Sequence, residues 1–167
     1  MIGNIASAPI FPFPPAPATN RQFVKDVVGQ FTTSLPSNVT YNYSGVTFNH
    51  IPGTEGTFAY TITVNAAGAA TGQGSFSGVT GSGGSGIGNF TLAGTLHSAA
   101  ITTQPDGRLG VSGGNVTATA SNATGSESHT AQYDLGVFGP NAQEVAGGIY
   151  GGTLQPRISG YAFAGKR

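Results

Sequence analysis

The chain is 167 residues long, with six basic and six acidic side chains and a formal net charge of zero. So few and so scattered Lys and Arg cannot neutralise a run of phosphates, which excludes nucleic acid as a partner. The absence of Cys excludes disulfides, thiolate metal sites and cysteine nucleophiles. Ten Phe, six Tyr and abundant Val, Ile and Thr separate the chain from disordered sequences and give it a core to bury.

The N-terminal stretch has its own character. Residues 8–18, APIFPFPPAPA, carry five prolines, which suit a stiff extended tether over residues 1–19 and forbid a helix or a central strand. Residues 20–31, NRQFVKDVVGQF, then place Phe23, Val24, Val27, Val28 and Phe31 at helical spacing, with Thr19 or Asn20 available as a cap. The spacing predicts one short amphipathic helix, ended by Leu35-Pro36-Ser37, within a unit spanning 20–36. A helix this short cannot stand alone in water, so it is expected to pack over one open end of the domain that follows.

From residue 37 to 167 the period is two. In TFAYTITV (57–64), Phe58, Tyr60, Ile62 and Val64 alternate with Thr57, Ala59, Thr61 and Thr63, the pattern of a half-buried strand. Comparable segments occupy 39–49, 69–79, 88–96, 108–120, 129–138, 144–151 and 157–165. Asn65-Ala66-Ala67-Gly68, Pro105-Asp106-Gly107 and Pro140-Asn141 supply the turns between them, and 80–86, TGSGGSG, is expected to be a flexible loop. Eight strands at this spacing predict an all-β fold, an eight-stranded antiparallel barrel closed without exposed edges. In-strand glycines such as Gly72, Gly74, Gly94, Gly113 and Gly114 suit the bends that closure requires.

Residues 136–152, GVFGPNAQEVAGGIYGG, could be a phosphate loop, a linker or a turn. No Gly-Lys-Ser/Thr and no helical period follow, so the phosphate loop fails. The run lies between two alternating segments and is a turn joining them. Gly136-Val137-Phe138-Gly139-Pro140-Asn141-Ala142-Gln143-Glu144-Val145-Ala146-Gly147-Gly148 resembles the signature of the transferrin-binding protein B-like barrel. The ending Gly160-Tyr161-Ala162-Phe163-Ala164-Gly165-Lys166-Arg167 is similar to that family's closing strand. The family includes transferrin-binding protein B, factor H-binding protein and haemophilin-type haem binders. The resemblance implies a water-soluble barrel, secreted or held at the outer-membrane surface of a Gram-negative bacterium. It implies capture of haem, a host iron carrier or another host protein, with an outer-membrane receptor as a further partner. The signature residues Gly136, Phe138, Gly139, Pro140, Asn141, Ala142, Glu144, Gly147 and Gly148 are architectural in that resemblance, shaping a hairpin rather than a binding site.

Haem iron accepts an axial His or Tyr. His129 shares strand parity with Ala131, Tyr133, Leu135 and Val137 and points inward or sits at a rim. His50 ends a strand, and His97 lies out of phase with Leu92 and Leu96 and faces solvent. A rim histidine near Tyr41, Tyr43 or Tyr133 would make a haem site; the plain alternative is that all are ordinary polar or packing residues. Tyr41 and Tyr43 could equally anchor a protein partner or pack across strands inside the barrel. The six acids stand singly, and neither H-E-x-x-H nor G-x-S-x-G occurs, so no enzyme is expected. Two other functions compete with capture: an integral outer-membrane barrel and an adhesion subunit assembling through an open strand edge.

Overall fold

Alternation of large apolar with hydroxyl side chains lets each segment present one face to a common interior, and eight such segments close on themselves. The computed structural model of the chain describes residues 5–6, 23–24, 29–49, 53–83, 88–152 and 160–167. Two dipeptide strands, β1 (Ile5–Ala6) and β2 (Phe23–Val24), pair antiparallel with each other. The barrel is built from β3 (Val39–Phe48), β4 (Gly56–Val64), β5 (Ala70–Gly83), β6 (Gly88–Thr103), β7 (Leu109–Asn122), β8 (Gly125–Phe138), β9 (Glu144–Tyr150) and β10 (Tyr161–Lys166). Each strand pairs antiparallel with its sequence neighbours, and β10 closes the ring on β3 with Phe163 opposite Thr47. The eight-strand antiparallel barrel expected from the sequence is the fold found.

The interior is aromatic. On β4, Phe58, Tyr60, Ile62 and Val64 are all buried. Phe58 stacks on Phe163 with ring centroids 4.6 Å apart. Tyr133 meets Tyr60 edge-on at 6.2 Å and Phe163 edge-on at 6.5 Å. Rings this large fit because glycines face them across the sheet. A Cβ at Gly74 would stand 2.5 Å from Cδ2 of Tyr60, one at Gly94 would stand 2.5 Å from Cζ of Phe76, and one at Gly114 would enter the Tyr133 ring. Burying each such ring contributes about 1.5–3 kcal/mol, so the glycines stabilise the barrel by what they leave vacant.

The helix expected over 20–36 is not what the described residues show. Phe23–Val24 are extended, and 29–36 carry no helix. Instead residues 30–32 form a strap along the wall where β7 begins and β8 ends. Thr32 N–H donates to the Val137 carbonyl at 3.2 Å, Leu109 N–H donates to the Thr32 carbonyl at 3.2 Å, and Gly139 N–H donates to the Gln30 carbonyl at 2.6 Å. Phe31 lies against Phe138, 5.7 Å between ring centroids. Of the apolar residues at helical spacing, Phe31 thus docks on the barrel's flank, because unpaired strand-end groups of β7 and β8 hold the strap extended; residues 20–22 and 25–28 lie outside the described residues. The proline-rich run 8–18 and His50 lie outside the described residues. The loop expected at 80–86 is partly strand, since β5 runs on to Gly83 paired with Gly88.

Candidate binding surface

The signature turn follows β8. Gly139 has φ +87° and Ala142 φ +54°, the second an uncommon conformation for a residue with a side chain. Ala142 is fully buried, and Tyr43 Oη donates to its carbonyl at 2.9 Å. Arg167 Nη2 donates to the Asn141 carbonyl at 2.8 Å, while its guanidinium carbon stands 5.0 Å from the Tyr41 ring centroid. The turn, both tyrosines of β3 and Arg167, which follows β10, thus form one closed end of the barrel.

Among the described residues the sequence-derived candidates Tyr41, Tyr43, Tyr133 and His129 do not converge. Tyr41 and Tyr43 are buried at the end just described. Tyr133 is wholly enclosed in the middle, and its hydroxyl donates to the His97 carbonyl at 3.0 Å. His129 sits toward the other end with the inward parity expected of it, 8 % exposed, its Nε2 3.7 Å from Glu127 Oε2. His97 is exposed on the outer wall, as its phase implies, with Nε2 2.9 Å from Thr117 Oγ1.

Burial raises the hydroxyl pKa of Tyr43 and of Tyr133 above the ordinary tyrosine value of 10.0. Both are held as neutral phenols whose oxygens are engaged. That is poor preparation for ligating a metal.

The outer wall is unlike the interior. Strands β3 to β7 contain no Asp, Glu, Lys or Arg, and their outward positions form rows such as Thr40–Thr63–Thr71, Asn42–Thr61–Gln73 and, onto β8, Thr95–Thr117–Thr130. Neighbours bond along these rows: Thr61 Oγ1 donates to Asn42 Oδ1 at 3.0 Å, and the Thr57 and Ser77 hydroxyls are 2.9 Å apart. A pocket of about 620 Å³ at β6, β7 and β8 touches both faces of the wall, lined by outward Thr95, Thr117 and Thr130 and by Phe76, Ala118 and His129 of inward parity. Apolar inside and polar outside is the reverse of a membrane-spanning barrel, which turns its apolar band to lipid.

On β8 to β10 the outward side is different again. Asp134, Phe138, Ala146 and Ala162 are buried there, with Phe138 under the strap and β2 beside β9 and β10. Asp134 Oδ1 accepts Gly113 N–H at 2.7 Å and Tyr150 Oη–H at 2.9 Å. It thereby fixes a bulge in β7 where Gly113 takes φ +68° and the register with β8 shifts. Sequence reasoning missed this cluster, although a Gly-Gly pair inside a strand pattern is a bulge signal. Nothing in the sequence marks Thr32.

No curated protein matches the chain significantly. The family described as factor H binding protein, C-terminal, matches residues 33–149, which begins just after the strap and takes in seven of the eight barrel strands, β9 to within its last residue. That match is to factor H binding protein rather than to transferrin-binding protein B, and so narrows the resemblance carried by residues 136–148. With the barrel and its signature turn in place, the chain belongs to the factor H binding protein C-terminal domain family.

Proposed function

We propose that this protein is a non-enzymatic binding barrel of the Gram-negative cell surface, displayed or secreted, that captures a host protein of the factor H kind on its outer wall. The family match over residues 33–149 carries the reading. The packing supports a macromolecular partner over haem. Tyr60, Tyr133 and Phe163 fill the interior, and the hydroxyls of Tyr43 and Tyr133 are spent on backbone carbonyls. A rigid wall of hydroxyl and amide groups then remains as contact area, a surface on which many small polar contacts add up.

Separate resins carrying factor H, transferrin, haemoglobin and haemin test the proposal. Retention on factor H, with no Soret shift on mixing with haemin, is the expected result. Retention on an iron carrier would transfer the capture role to iron acquisition. A Soret shift at micromolar protein would revive the haem site, with His129 as the axial candidate. Retention on none would overturn capture of this class.

A further inference from the structure

We propose that the barrel wall from β3 to β9 is armoured against proteases that cut after Lys or Arg, and that the Thr32 strap guards the one such bond in residues 29–152. Trypsin-class enzymes select a basic side chain through an acidic pocket and need the flanking backbone extended and free. Residues 29–152 contain no Lys and a single Arg, Arg108; the remaining basic residues stand at 21, 25, 157, 166 and 167.

Arg108 is withdrawn in three ways. It is only 6 % exposed, and its Nε lies 3.3 Å from Asp106 Oδ2. Its carbonyl accepts Gln104 N–H at 2.8 Å. The amide on the other side of the scissile bond, Leu109 N–H, donates to the Thr32 carbonyl at 3.2 Å. Both halves of the bond are tied, one by its own turn and one by the strap. An exposed turn elsewhere has no such need, because it offers no basic residue: Ala66 and Ala67 are exposed between β4 and β5. The protection is thus mainly compositional, with the strap covering the exception.

The test is timed trypsin digestion read by intact mass, in an Arg157→Gln background so that no earlier cut separates β10. The parent chain is expected to give no cut between residues 29 and 152. Ala67→Lys, on an exposed turn, is expected to be cut after position 67. Thr32→Pro removes the Thr32 N–H that holds the strap, and cleavage after Arg108 is expected to rise at least tenfold. Because that variant can unfold globally, Thr61→Lys and circular dichroism accompany it: a mid-strand lysine stays uncut wherever the barrel is intact. An uncut Ala67→Lys would show that rigidity rather than composition protects, and overturn the first half. Cleavage after Arg108 in the parent, or none in a folded Thr32→Pro, would overturn the second.

Discussion

Two hydroxyls at the centre of the barrel allow a sharp calculation. Tyr60 Oη and Tyr133 Oη are 3.0 Å apart, and Tyr133 Oη also lies 3.0 Å from the His97 carbonyl. A carbonyl can only accept and each phenol has one proton, so Tyr133 donates to His97 and Tyr60 must donate to Tyr133. Removing the Tyr60 hydroxyl leaves an acceptor lone pair unfilled and costs about 0.5–1.5 kcal/mol. Removing the Tyr133 hydroxyl strands the buried Tyr60 proton and the inward His97 carbonyl together. The added desolvation penalty brings that cost to about 2–4 kcal/mol. In the double variant no proton is stranded, so the combined loss should fall short of the sum by about 1 kcal/mol or more. Urea unfolding of Tyr60→Phe, Tyr133→Phe and the pair, with unchanged m-values, reads all three terms. A Tyr60→Phe loss equal to or larger than the Tyr133→Phe loss would refute the donor order and the reasoning built on it.

Other expectations follow from the same packing. Phe163→Ala, at a fully buried ring stacked 4.6 Å from Phe58, should cost about 3–5 kcal/mol in chemical denaturation. Gly139→Ala forces a side chain into φ +87° and should cost about 1–2 kcal/mol, with the signature turn loosening first in hydrogen exchange. Burial raises the pKa of Tyr43, Tyr60, Tyr133 and Tyr161 above 10.0. The unfolded chain therefore releases these protons first. Stability should be whole below about pH 10 and fall above it, by up to about 1.4 kcal/mol per pH unit for each phenol retained. Phenolate absorbance rising in step with unfolding would confirm this; gradual ionisation of a folded barrel would contradict it.

Much of the fold was legible because strand parity is a local property. TFAYTITV announces its two faces, and the turns at Asn65–Gly68, Pro105–Gly107 and Pro140–Asn141 fall where their residue types require. The segment around Phe31 was misjudged because its apolar spacing satisfies a helix, whereas the hydrogen bonds that hold it extended come from strand ends more than seventy residues away. Tyr41, Tyr43 and Tyr133 could not be sorted into binding or packing residues from the sequence. Parity gives a face, but only closure tells which face is inside. The Asp134 bulge and the Thr32 contacts are products of that closure, so no single stretch of sequence contains them.

The aromatic filling has a thermodynamic corollary for recognition. A cylinder with stacked rings at its centre resists denting to meet a visitor, so whatever docks must bring a complementary contour or do most of the adjusting itself. The cost in lost freedom then falls on the visitor's side of the encounter, and rigid visitors should hold on longest.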